Sequence, residues 1–410
     1  MTRILAYTSP AIGHLFPMIP ILLELRDRGH EVHVRTLPEQ LDLVRGLGLP
    51  AEAIDPGIRA LPADDYSGKN PKEALDRAAA LFCARGELDG PDLDRALRDV
   101  CPDLVLVDTN SWGACDAAEA WGGPWTIFSP YTPAISSAGT PPFGPGLLPM
   151  RGPLGRLRDA AVRPLVIGAV EKSMKPRMNA LRAHYGLAPV GSADEYFRRA
   201  PLMLVTTSEP FEYPHPDWGD GIRMVGALPW EPPTARSGWL DDLDGPVVLV
   251  TTSSEYQADE ALVRAALEAL EDEPYTVIAT MPAGVNHIGE VPRNARVEEF
   301  VPHGHVLDQT AVAVTHGGMG ATQKALARGI PVCVVPFGRD QLEVAARVVH
   351  ADAGSRLAVK KLSPSALRDA VRTAATKQAG AARVAAGFAA AGGAPAGADA
   401  MEALLTPARH

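Results

Sequence analysis

The sequence predicts an α/β protein of two parallel-sheet domains facing across a cleft, and three observations predict it. Short apolar runs alternate with helix-like segments, the alternation restarts after a proline-dense stretch near the middle, and two later runs end in glycine turns that open helices. Strands separated by helices are joined by crossovers, which make parallel sheets. The length of 410 residues is too great for one ordinary core and suits two.

In the first half, Ile4-Leu5-Ala6-Tyr7-Thr8 reads as a short buried strand, and Leu15 to Arg28 as a helix with early prolines and Gly29 as its stop. Glu31 to Thr36 is the next strand. Leu104 to Asp108 is a continuous apolar run ending in a carboxylate, the pattern of a central parallel strand. Trp125 to Phe128 and Leu202 to Val205 follow. Asp55 to Pro71 and Tyr131 to Pro153 are irregular and rich in Pro, Gly and Ser, and loops of that length commonly wall a binding site. The second half places strands at Val247 to Val250, Thr276 to Thr280, Arg296 to Val301, Val312 to Thr315 and Val332 to Val335, with a helix at Asp259 to Leu270. Ser363-Pro364 caps and starts another helix. The layout is a first domain over residues 1–212, a proline- and aromatic-rich linker over 213–235 and a second domain over 236–390. Residues 391–410 form a tail free to pack back on the first domain.

Hydrophobic residues make up 46% and charged residues 21%, the balance of a soluble globular chain. A net charge of −10 without a compensating Lys/Arg cluster argues against a nucleic-acid partner. Cys83, Cys101, Cys115 and Cys333 have no paired spacing, so neither zinc nor a disulfide framework is signalled, and three sit in or beside apolar runs as core residues of a reducing cytosol. The start, Met1-Thr2-Arg3-Ile4-Leu5, lacks a signal-peptide layout, so a cytoplasmic location is expected. Pro164 to Val170 is far too short an apolar run to span a membrane.

Two segments carry most of the chemistry. Thr315-His316-Gly317-Gly318-Met319-Gly320 follows an apolar strand and opens a helix, and Pro336-Phe337-Gly338-Arg339-Asp340-Gln341 repeats the layout. A helix N-terminus directs free N–H groups and a positive dipole end at one spot, which suits a diphosphate. In the first half, Ser9-Pro10-Ala11-Ile12-Gly13-His14-Leu15-Phe16-Pro17 is not a GxGxxG fingerprint, so a bound dinucleotide is disfavoured. It puts His14 where a helix begins after the first strand. A helix N-terminus is expected to lower the imidazole pKa and keep it neutral, as a general base requires, although a histidine that merely caps the helix fits equally. Asp108, at the end of another parallel strand, is the partner able to fix its tautomer, or else the cap of the helix that follows.

Gly13-His14-Leu15-Phe16-Pro17, Phe300-Val301-Pro302-His303, His316-Gly317-Gly318-Met319-Gly320 and Asp340-Gln341, in that order, resemble the nucleotide-sugar glycosyltransferases of the GT-B fold, family 1. Within it the similarity is to the bacterial branch acting on macrolides, enediynes and aromatic polyketides. The resemblance covers essentially the whole chain. It implies an acceptor domain, then a donor domain, and metal-independent inverting transfer from a dTDP- or UDP-sugar, with no cofactor. His14 would deprotonate the acceptor hydroxyl with Asp108 orienting it. His316, Gly317, Gly318, Met319 and Gly320 would hold the diphosphate with Ser253 and Ser254. Phe300 would stack on the pyrimidine, Val301 would read its edge, and Asp340 and Gln341 would bind the sugar. The acceptor would be a hydrophobic small molecule, walled by residues 55–84 and 131–185, and the enzyme a monomer or homodimer.

Three departures qualify the resemblance. Phe300 stands where many members have tryptophan, Ser253 replaces a usual glycine, and Lys324 occupies the place of a ribose-binding glutamate. A lysine accepts no hydrogen bond, so dTDP is favoured over UDP. Asp92-Leu93-Asp94 and Asp242-Leu243-Asp244 have a D-x-D shape, but each starts or precedes a segment that reads as a helix, where acidic residues complement the dipole. Asp64-Asp65 reads as a solvated pair, and His303 and His305 lack companions for a metal. The rival functions are a nucleotide-sugar 2-epimerase on the same fold and a non-catalytic nucleotide-sugar-binding auxiliary protein.

Overall fold

In the computed structural model, residues 1–243, 245–285 and 288–406 are described. The first half forms a seven-stranded, wholly parallel sheet. Its strands are β1 (Arg3–Tyr7), β2 (Glu31–Thr36), β3 (Ala51–Ala53), β4 (Leu104–Asp108), β5 (Trp125–Ser129), β6 (Leu202–Val205) and β7 (Ile222–Met224), in the order β3-β2-β1-β4-β5-β6-β7. The second half forms a six-stranded parallel sheet of β8 (Val247–Thr251), β9 (Thr276–Thr280), β10 (Ala295–Glu298), β11 (Thr310–Thr315), β12 (Val332–Val334) and β13 (Gly354–Arg356), in the order β10-β9-β8-β11-β12-β13. Two Rossmann-like sheets in one chain constitute the GT-B arrangement. In each, the winding reverses once, between β1 and β4 and between β8 and β11. Crevices open outside the carboxyl ends of strands at such reversals.

The central strands are apolar without alternation because helices cover both faces. Every residue of β4, β5, β6 and β8 is buried. Two long helices, Pro71–Val100 and Pro153–His184, were not foreseen, because internal prolines (Pro91; Pro164 and Pro176) interrupt the pattern that marks a helix. The apolar run Pro164 to Val170 lies inside the second of them. Asp92 corrects its own expectation: it sits within the Pro71–Val100 helix rather than at a helix start. It is buried, accepting a hydrogen bond from the Tyr7 hydroxyl at 2.9 Å and one from Arg95 at 2.9 Å. Asp244, the end of the other D-x-D segment, lies outside the described residues.

β7 pairs with β6 inside the segment read as linker, so the first sheet continues to Met224. A three-residue strand among prolines gives no periodic signal. At the far end, the helix Gly393–Ala403 packs on Ile12–Asp27. Ala398 and Met401 join the core under β1, and Arg28 bridges to Asp399 and Glu402 at 2.6 and 2.9 Å. Among the described residues no helix is long and apolar enough to cross a membrane.

Candidate active site

The site forms where the two winding reversals face each other. β1 and β4 are paired neighbours, with Tyr7 opposite Val107, so the segments following them start side by side. His14 lies in the first turn of Ile12–Asp27, and its Nδ1 is 2.7 Å from Oδ2 of the fully buried Asp108. The other carboxylate oxygen accepts the Asn110 backbone N–H at 2.9 Å, which fixes the carboxylate plane. With Nδ1–H given to Asp108, Nε2 is left as the basic nitrogen, and the Asn110 amide stands 3.4 Å from it. The Tyr131 hydroxyl donates to Asn110 Oδ1 at 2.6 Å, and its ring meets the imidazole edge-on at 5.8 Å. Asn110 was missed in the sequence because a single amide in a turn has no motif.

The imidazole pKa corrects the sequence expectation. Burial opposes the charged form, but the charge and hydrogen bond of Asp108, with Glu255 and Asp340 further away, raise His14 above its ordinary value. A carboxylate in direct contact outweighs the dipole of one helix turn. That Glu255 and Asp340 act on His14 also shows that the C-terminal half faces it.

In the second sheet, β8 and β11 are neighbours, with Thr251 opposite Thr315. His316 is 7% exposed, its Nδ1 lies 3.4 Å from the Thr251 carbonyl, and burial, the largest influence, lowers its pKa. Gly317 has φ +95°. A Cβ on Gly318 would lie 2.3 Å from His316 Nε2, so the ring rests directly against Gly318 and any side chain there would displace it. Gly318 caps the helix Met319–Leu326, whose opening N–H groups at Met319 and Gly320 have no acceptor within the helix and no side-chain cap. The Met319 side chain itself is buried in the core, so only its backbone is available. The Ser253 backbone N–H bonds to Asp259 at 2.8 Å and its side chain is buried, whereas Ser254 is exposed. Phe300 is 55% exposed, an open ring face beside the buried Val301.

Asp340 precedes the helix Gln341–His350, and burial raises its pKa. Gln341 is largely committed within the protein. Its Oε1 accepts from the Phe337 and Gly338 N–H groups at 2.7 and 3.0 Å and its Nε2 donates to Gln257 at 2.8 Å, leaving one N–H for a ligand. Lys324 forms an ion pair with Glu231 of the linker at 2.7 Å, and Glu231 also accepts the His303 and Gly304 N–H groups. Asp65, expected in solvent, is 8% exposed and bound to Arg339 at 2.8 and 2.9 Å. A cavity of about 50 Å³ is lined among others by Pro133, Ile135, Phe143, Val166, Ile167 and Val170. Part of its lining falls in the expected acceptor wall, part comes from beyond it (Ala193, Tyr213, His215, Glu343 and Arg347), and His14 is not included. Among the described residues, no group of three or more His, Cys, Asp or Glu is placed to hold a metal ion.

Known proteins share this architecture. The erythromycin biosynthesis protein CIII-like C-terminal domain family matches residues 263–404. The chain is 28% identical to a demethyllactenocin mycarosyltransferase of Streptomyces fradiae, covering 100% of this chain and 87% of that protein. It is 33% identical to 4'-demethylrebeccamycin synthase of Lentzea aerocolonigenes, covering 90% of this chain and 91% of that protein. The chain belongs to the GT-B glycosyltransferases of natural-product biosynthesis. A solved glycosyltransferase, VinC in complex with dTDP, superposes on this glycosyltransferase with a TM-score of 0.70 over 98% of this chain and 99% of that one, at 22% identity. At that identity the likeness is one of fold.

Proposed function

We propose that this glycosyltransferase moves a sugar from a nucleoside diphosphate onto a hydroxyl of a hydrophobic natural-product aglycone, with inversion and without metal. The observation that carries the reading is the His14–Asp108 pair at the reversal of one sheet, facing the His316 glycine turn at the reversal of the other. Asp108 holds the proton on Nδ1, so Nε2 receives the acceptor's proton as the acceptor oxygen bonds to the anomeric carbon. The bond from that carbon to the diphosphate oxygen breaks on the opposite side, and the diphosphate leaves with the electron pair. Amides of Gly318, Met319 and Gly320 at the helix N-terminus stabilise the charge it gains, in place of a cation.

Phe300 supplies the stacking face for the base, Ser254 a hydroxyl for phosphate, and Asp340 with the remaining Gln341 N–H the contacts to the sugar. Lys324, already neutralised by Glu231, offers no acceptor to a ribose hydroxyl, which supports dTDP over UDP. VinC, with dTDP bound, is a relative of the same fold. The deciding experiment is a mass-spectrometric screen of hydrophobic aglycones against dTDP- and UDP-sugars. Glycoside with inverted anomeric configuration is expected. Epimerised donor in the absence of an acceptor, or tight donor binding without any product, would overturn the reading.

A further inference from the structure

The two halves meet again at the rim of the cleft. Asp65 opens the short turn Asp65–Ser67, and both its carboxylate oxygens are held by Arg339, from Nε at 2.8 Å and Nη2 at 2.9 Å. The remaining arm of the guanidinium donates to Glu255 at 3.0 Å. Bidentate Arg–carboxylate pairs fix orientation as well as contact. Arg339 adopts φ +53°, a conformation costly for a residue with a side chain, while its guanidinium is bound by both carboxylates. Beside the pair, the rings of Tyr66 and Tyr256 meet edge-to-face at 5.6 Å.

Each end of the contact is anchored in its own half. Arg77 donates to Asp64 at 2.7 Å and to Ser67 at 3.1 Å, tying the turn to the Pro71–Val100 helix. Across the cleft, Arg339 directly precedes Asp340, and the Glu255 N–H donates to Ser253 Oγ at 3.2 Å. The Asp65 contact from the N-terminal half therefore falls on Arg339, which itself links the two C-terminal segments to which the donor has been assigned.

We propose that Asp65 and Arg339 form a clasp that closes the cleft over the nucleotide sugar, making Asp65 a positioning residue for a substrate bound by the opposite half. The proposal rests on the donor-site reading above. A donor enters and its nucleotide leaves with the clasp open, and closure excludes water from the reacting bond.

The test uses the full chain. Hydrogen–deuterium exchange without ligand should increase at residues 253–258 and 337–341 in Asp65→Asn, and at residues 64–68 in Arg339→Gln, while Asp65→Glu stays near wild type. Release of dTDP-glucose in stopped flow should be roughly 5- to 10-fold faster in Asp65→Asn and restored by Asp65→Glu. Unchanged exchange across the cleft in Asp65→Asn would overturn the clasp. So would an Arg339→Gln loss of dTDP-glucose binding that Asp65→Asn does not share, because Arg339 would then be a direct donor ligand. A wild type that binds neither dTDP-glucose nor UDP-glucose defeats the donor-site reading and the clasp's role over it, while the reciprocal exchange changes separately decide whether the clasp exists.

Discussion

His14 and His316 occupy equivalent places: each follows a strand beside the winding reversal of a parallel sheet, at or just before the start of a helix. Their environments push them apart. Asp108 at 2.7 Å raises the pKa of His14, whereas burial against a carbonyl and a glycine turn lowers that of His316. Position in the fold sets each imidazole beside a winding reversal, and what surrounds it decides the direction in which its pKa moves.

The sharpest way to break this comparison is at His14. His14→Ala should lower kcat with an alcohol acceptor by at least about 100-fold while dTDP still binds, checked by steady-state kinetics and calorimetry. Asp108→Asn should be comparably severe, because its amide can donate to Nδ1 and favour the wrong tautomer. Near-normal turnover in His14→Ala would make the two histidines functionally alike.

The pH profile gives the next effect. A base of raised pKa is increasingly protonated as pH falls, so the acid limb of kcat/KM should lie above pH 6.5, the ordinary histidine value. In the residual activity of Asp108→Asn, that limb should move to lower pH. A wild-type limb below 6.5 would mean that burial outweighs Asp108.

His316 should behave oppositely. If its Nδ1 donates to the Thr251 carbonyl, Nε2 is bare and must gain a proton to donate to a phosphate oxygen. Binding of dTDP at pH 7 is therefore expected to take up protons, read by calorimetry in buffers of different ionisation enthalpy. His316→Ala should weaken dTDP on the order of tenfold and abolish the uptake. Uptake of no protons would leave the amides of the glycine turn and the Ser254 hydroxyl as the phosphate donors.

The smallest effects concern groups outside both histidines. Reversing the Glu231–Lys324 pair (Glu231→Lys with Lys324→Glu) should shift the dTDP/UDP affinity ratio towards UDP by several-fold at most, since one hydroxyl contact contributes about 1 kcal/mol. Lys324→Glu alone would set two carboxylates together. Excess EDTA should leave the rate unchanged; a loss restored by magnesium would return attention to a metal.

The two parallel sheets and the positions of His14, Asp108, His316 and Asp340 at strand ends were legible in the sequence, because apolar runs and glycine turns are local signals. The close packing at Gly318 involves a ring two residues away, which is nearly local. The direction of the His14 shift was not legible, since it depends on how close Asp108 comes. Asp65–Arg339 and Glu231–Lys324 join distant residues, and their charges look solvated until the chain is folded. Asn110 and Tyr131 reach the imidazole through one turn and one loop that carry no motif. The long helices were obscured by prolines that their packing tolerates.

The closing helix Gly393–Ala403 has a practical consequence for hybrid enzymes. It ends the half of the chain that carries His316, yet it covers the helix that carries His14, and Glu402 reaches His30 at 2.8 Å. A chimaera that joins the front of one family member to the back of another at the linker would therefore pair a foreign helix with Ile12–Asp27. Exchanges that aim to recombine acceptor and donor choice should have two crossovers, the second just before Gly392, so that the last helix travels with the first.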